Sequence, residues 1–150
     1  MDLSTGVADW TVVSSPDGTT GDAVASGKHP AWATVDVPEC SAQWVDPYDN
    51  APTDSDPVGD YVYELEFEIP APSPRDLVVY AFGSDNPGRI LLDGTEVQSH
   101  QVSNAFDPLN ETVVTVEDVP VGTHTLTAEV ENLSGSGQNP TGLFVCAALE

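Results

Sequence analysis

Tyr61-Val62-Tyr63-Glu64-Leu65-Glu66-Phe67-Glu68-Ile69 alternates apolar and acidic residues without a break, and its reading decides the fold. Tyr63, Leu65, Phe67 and Ile69 fall on one side of an extended chain, and Glu64, Glu66 and Glu68 on the other. Alternation with period two marks a strand with one face on a core and one in water. Downstream, Asp76 to Gly83 is more continuously apolar and reads as a more central strand. Arg89-Ile90-Leu91-Leu92 runs into Asp93-Gly94, a strong hairpin turn signal, and Glu96-Val97 begins the return. Thr112 to Glu117, Thr123 to Val130 and Gly142 to Leu149 follow as further strands. Upstream, Asp9 to Ser14, Ala23 to Ser26 and Ala42 to Val45 are shorter candidates. Residues 27–40, with Pro30, Trp32 and Pro38, read as an irregular cover segment.

Thirteen prolines and twelve glycines punctuate the chain, and no stretch carries a long helical period. About eight short strands in 150 residues imply an all-β fold, an antiparallel β-sandwich with the jelly roll as first choice, in a single domain over residues 1–150. A chain of this length buries roughly 68–70% of the surface it exposes when unfolded, enough for a core without a metal. It holds no apolar run of about 18 residues, so no membrane insertion is expected. Met1-Asp2-Leu3-Ser4 has neither a basic nor an apolar leader region, so no secretory signal peptide is read there.

Twenty-five acidic residues stand against three basic ones, a formal net charge of −22. Such self-repulsion destabilises a compact state in dilute buffer. Concentrated salt screens it, the Debye length falling from about 10 Å at 0.1 M to about 3 Å at 1 M. The balance is that of a protein from a high-salt environment, and it excludes nucleic-acid binding, which needs a basic footprint.

A series of short motifs carries a resemblance. Trp10-Thr11-Val12-Val13-Ser14-Ser15-Pro16-Asp17-Gly18, Pro30-Ala31-Trp32, Ser41-Ala42-Gln43-Trp44-Val45 and Gly59-Asp60-Tyr61-Val62-Tyr63 come first. Ser84-Asp85-Asn86, Ile90-Leu91-Leu92-Asp93-Gly94 and Asn139-Pro140-Thr141-Gly142-Leu143 follow in order. Together, from about Asp9 to Val145, they resemble galactose-binding-like jelly-roll modules of bacterial extracellular and sorting-signal-bearing proteins. The resemblance implies an extracytoplasmic binding or structural module rather than an enzyme. With the acidic composition and the missing leader, it leads first to a structural protein of a virus of a halophilic host: a decoration, turret, fibre or tail component. Such a protein is expected to be a homo-oligomer among other virion or cell-surface proteins, on the virion or cell exterior. The alternative is a surface-displayed carbohydrate-binding module with a structural calcium and glycan partners.

Several residues are candidates for chemistry. Asp46, Asp49, Asp54, Asp56 and Asp60 share one Pro-rich loop and offer the oxygen ligands that calcium takes, though not at EF-hand spacing. A solvated, salt-adapted loop is the other reading. Asp85, Asn86 and Arg89 join two strands and are suited to sugar hydroxyls or a carboxylate; the plainer reading is an Asx-type turn with Arg89 paired to a neighbouring acid. Trp32, in the irregular segment, is the tryptophan expected to be exposed for stacking on a sugar, while Trp10 and Trp44 read as packing. Cys40 and Cys146 either form one disulfide between an early segment and the last strand or remain two buried thiols. His29, His100 and His124 are scattered, and no nucleophile context accompanies them, so no catalytic residue is assigned. Asn110 and Asn132 open two glycosylation triplets.

Overall fold

A computed structural model of the chain describes residues 1–27, 29–33, 37–49, 54–103, 105–106, 112–135 and 137–150. Eleven strands and no helix are found among them: β1 (Thr11–Ser14), β2 (Gly21–Asp22), β3 (Val24–Ala25), β4 (Val45–Asp46), β5 (Gly59–Ile69), β6 (Arg75–Asp85), β7 (Gly88–Leu92), β8 (Thr95–His100), β9 (Val114–Val119), β10 (Gly122–Asn132) and β11 (Gly142–Leu149). They form two antiparallel sheets, one ordered β2-β1-β5-β10-β7-β8 and the other β3-β4-β11-β6-β9.

Strands β4 to β11, counted as first to eighth, form the kernel. The five-stranded sheet holds first, eighth, third and sixth in that order, and the six-stranded sheet second, seventh, fourth and fifth. Successive strands thus alternate between sheets except at the β7–β8 hairpin, which is the strand order of a jelly roll. The stretches read as strands in the sequence include all eight of this kernel as well as β1 and β3; β2 falls in a stretch read as a loop, and β1, β2 and β3 extend the kernel's edges. At Asp93-Gly94 both residues take positive φ, 49° and 80°, as a tight hairpin turn requires.

The alternation of β5 survives intact. Tyr61, Tyr63, Leu65, Phe67 and Ile69 are buried between the sheets, and Glu66 and Glu68 are exposed. The β5–β10 register sets Thr123, Thr125 and Thr127 opposite Glu68, Glu66 and Glu64, so a threonine–glutamate ladder faces solvent. This is the open face of the molecule.

The five-stranded sheet is different, because its central strands β6 and β11 are buried on both faces. Inward, Leu77, Val79, Phe82, Leu143, Val145 and Ala147 join the main core. Outward, Ala81, Phe144 and Cys146 pack under Trp32 and Trp44 in a second cluster, with Ala33, Val37, Cys40 and Ala42 against it. One inserted residue produces the switch of faces along β6. Cys146 pairs with Ala81 and Ala147 with Val79, so Tyr80 is extra, and the inward set passes from Leu77 and Val79 to Phe82. Among the described residues of the segment anticipated as a cover, Trp32, Ala33, Val37 and Cys40 do lie over this outer face, stapled by a disulfide between Cys40 and Cys146, whose Cα atoms are 5.7 Å apart. Trp32 and Trp44 stack with centroids 4.6 Å apart. They leave room only for glycine at residue 142, where an added Cβ would lie 2.7 Å from the Trp32 ring. Residues near the N-terminus complete the β11 edge: Leu3 and Thr5 donate to the carbonyls of Ala147 and Val145.

The disulfide closes a sequence separation of 106 residues. Its reduction, or Cys40→Ser, is expected to lower unfolding free energy by about 2–4 kcal/mol. Chemical denaturation in constant high salt, with and without reductant, measures this; an unchanged midpoint contradicts it.

Candidate functional site

Most of the candidate residues prove to be structural. Trp32, expected on the surface, is 1% exposed, and its Nε1 donates to Asp85 Oδ2 at 2.7 Å. The bond spans 53 residues of sequence and fastens the cover to the end of β6. Asp85 Oδ1 accepts from Asn86 Nδ2 at 2.7 Å. Asn86 Nδ2 also donates to the Ser103 carbonyl, and Asn86 Oδ1 accepts from the Leu133 N–H. Trp32, Asp85 and Asn86 therefore spend their polar atoms inside the fold. The loop expected over Ser84 to Arg89 is shorter than it reads: β6 continues through Asp85 and β7 starts at Gly88. Burial pushes the Asp85 carboxyl up to about 6, against the Trp32 hydrogen bond that favours its charged form. Asn132 is fully buried and bonded to Pro57 and Asn139, which removes it as a glycan acceptor; Asn110 lies outside the described residues.

The five aspartates of the acidic loop separate. Asp46 ends β4 at 2% exposure, its carboxylate accepting from the Tyr48 N–H at 2.7 Å. Asp56 is 7% exposed, and its Oδ2 accepts from the Thr141 N–H at 2.8 Å. Asp49, Asp54 and Asp60 are exposed. Calcium takes six to eight oxygen ligands, and among the described residues no three acidic, histidine or cysteine side chains gather to supply them. The five aspartates named for calcium thus form no single carboxylate cluster among the described residues.

What remains is a cleft of about 460 Å³ on the open face, lined by Asp60, Val62, Pro87, Gly88, Arg89, His100, Gln101, Glu129, Val130 and Glu131. It lies where β5 and β7 begin and β8 and β10 end, so four strands fix its walls. Register makes it: β10 sets Glu129 opposite Arg89 on one side and opposite Val62 on the other, and Glu131 opposite Asp60. Arg89 Nε donates to Glu129 Oε2 at 2.7 Å, and its Nη2 lies 2.6 Å from the same oxygen. Nη1 is a looser 3.9 Å from Glu96, and the Arg89 side chain stays 46% exposed. A guanidinium has five N–H donors, so this pairing orients it and leaves donors toward the cleft. His100 Nε2 lies 2.8 Å from the Phe82 carbonyl, which accepts only; Nε2 carries the proton, and Nδ1 is the acceptor in the neutral ring. Gln101 and Glu131 are exposed at the rim.

The cleft therefore presents donors, acceptors and a small apolar floor on a rigid sheet. Of the residues that the sequence suggests for ligand binding, Arg89 alone lines it, beside Asp60 from the calcium set. His100, Gln101, Glu129 and Glu131 carry no signal in their own neighbourhoods, because cross-strand register brings them together.

No family model and no curated protein matches the chain. Among solved structures it is similar to an α-L-rhamnosidase of Streptomyces avermitilis complexed with L-rhamnose, at 19% identity and TM-score 0.47, covering 95% of this chain and 12% of that one. It is also similar to a GH2 β-galacturonidase from Eisenbergiella tayi bound to glycerol, at 14% identity and TM-score 0.47, covering 97% of this chain and 24% of that one. An FMN-binding β-glucuronidase from Facaelibacterium prausnitzii L2-6 matches at 16% identity and TM-score 0.49, covering 97% of this chain and 22% of that one. The chain thus spans less than a quarter of each of these enzymes. The jelly-roll assignment rests on the strand order given above and not on these overlaps.

Burial raises the Asp46 carboxyl to about 7, helped by Asp56 and Asp49 and opposed by the Tyr48 N–H and Ser26. A carboxyl whose folded pKa lies above its unfolded value adds stability at low pH, which is lost as pH rises through the folded value. Asp46→Asn keeps the acceptor for Tyr48 and has no charge to bury. Relative to the parent it should gain about 2–4 kcal/mol at pH 8 and little at pH 4, since each tenfold change in proton affinity is worth about 1.4 kcal/mol. Denaturation of both proteins across that range checks the difference; a gain independent of pH contradicts it.

Proposed function

We propose that this domain is a non-catalytic glycan-binding module displayed outside the cytosol, with its ligand in the cleft around Arg89. The observation that carries the reading is Arg89 itself, one of three basic residues in the chain, held by Glu129 on a rigid open sheet with donors left toward the cleft. Sugar recognition uses planar polar side chains of this kind, which donate to and accept from vicinal hydroxyls. The wall acids Asp60, Glu129 and Glu131 accept from hydroxyls and repel anionic sugars, so a neutral oligosaccharide fits best. The Cys40–Cys146 disulfide supports an oxidising location. The virion reading draws on composition and on the resemblance, which suit a displayed binding module equally, and no feature of the cleft favours an assembly.

Titration of the isotope-labelled protein with neutral gluco-, galacto- and manno-oligosaccharides, followed by amide NMR in high salt, tests this. At least one series should shift Asp60, Arg89, Gln101 and Glu131. Arg89→Ala should weaken that binding about tenfold or more with little change in stability, since exposed pairs are worth about 0–1 kcal/mol. Shifts confined to the opposite edge, no binding across the panel, or cleavage of the oligosaccharide would each overturn the proposal.

A further inference from the structure

A second concavity lies away from the cleft, at the side of the sandwich where both sheets end. β8 is the last strand of one sheet and β9 the last of the other, and among the described residues neither pairs with a further strand. Between them runs a groove of about 420 Å³, lined by Leu92, Asp93, Thr95, Glu96, Val97, Val114, Val116, Glu117, Asp118, Val119 and Pro120. Its floor is aliphatic: Leu92 and Val119 are buried, while Val97, Val114 and Val116 stay partly exposed. Val113 and Val121, flanking β9 in sequence, are 55% and 44% exposed. Val97 and Val116 pack against the main core with part of their surface left in the groove, while Val114 is not part of that core and lines the groove beside them.

The rim is acidic. Asp93 is already engaged: its carboxylate lies 2.7 Å from His124 Nδ1 and accepts from the Thr125 N–H. Glu96, Glu117 and Asp118 remain exposed; Arg89 lies 3.9 Å from Glu96, and Arg75 is set opposite Val119 in register, so acids still outnumber cations along the rim. A second copy of this chain would bring its own acids against these, and like charges placed opposite each other destabilise a strand pair. The complementary occupant is an extended segment that offers main-chain groups to the free edge, aliphatic side chains to the floor and lysine or arginine to the rim.

We propose that the groove between β8 and β9 docks an extended segment of a partner protein in which aliphatic residues alternate with basic ones. This surface shares no lining residue with the sugar cleft, and the loose Arg89–Glu96 pair is the contact between the two. The opposing function of edge charges is to keep strands from pairing at all, and the experiment separates the two.

The full chain, isotope-labelled, is titrated in high salt with a capped synthetic peptide alternating valine and lysine, and with one alternating threonine and lysine. The valine peptide should shift amides of Thr95–Val97 and Val114–Val119 and bind about tenfold tighter than the equally charged threonine peptide. The double variant Glu96→Lys and Glu117→Lys, both at exposed sites, should transfer the preference to a peptide alternating valine and glutamate. Equal affinity for the two lysine peptides, shifts spread over Glu64, Glu66 and Glu68, no shifts at all, or self-association through this edge would overturn the proposal.

Discussion

Burial of the centre of one sheet on both faces organises this molecule. β11 and β6 lie at the centre of the five-stranded sheet with the main core beneath them and the Trp32–Trp44 stack above. In its described residues, Pro30, Trp32 and Pro38 among them, the cover holds no strand or helix. It is held instead by point fastenings: the Cys40–Cys146 disulfide, the Trp32–Asp85 hydrogen bond and the Trp44 Nε1 bond to the Ala33 carbonyl. Each fastening consumes a residue type that otherwise suggests a ligand site. With that side sealed, the six-stranded face and the edges are the surfaces left open.

Charge acts on the same asymmetry from outside. The glutamates of β5 face water in a ladder with the threonines of β10, where salt screens them, and they add nothing to the core. Two aspartates, Asp46 and Asp85, are instead buried with carboxyls pushed up to about 7 and about 6. In a chain this acidic, burial rather than mutual repulsion dominates at both sites, since desolvation is the largest cause for each. Arg89 works in the opposite sense: Glu129 opposite it in register fixes a cation on a face that would otherwise be wholly acidic or neutral.

The parts legible in the sequence are those decided by near neighbours. The β5 alternation, the Asp93-Gly94 turn and the more central character of β6 depend on a few adjacent residues, and all three are found. The bulge at Tyr80 leaves no trace there, because it arises from the pairing of β6 with β11. Trp32 reads as exposed because its neighbours are irregular, yet irregular backbone covering a sheet is where an indole is buried. Asp85 and Asn86 carry turn chemistry in sequence, and only the packing of residues 32, 103 and 133 against them shows where their hydrogen bonds go. The cleft is legible through Arg89 alone, since cations are scarce in this chain. Its other walls come from four strands brought together by register.

Amide hydrogen exchange of the oxidised protein in high salt tests this organisation most directly. If the centre of the five-stranded sheet is sealed on both faces, the amides of β11 and the central part of β6 exchange slowest in the molecule, more slowly than those of β5 and β10, whose sheet has one face in water. Exchange of β11 as fast as the edge strands β8 and β9 would mean that the cover does not stay closed, and would contradict the account.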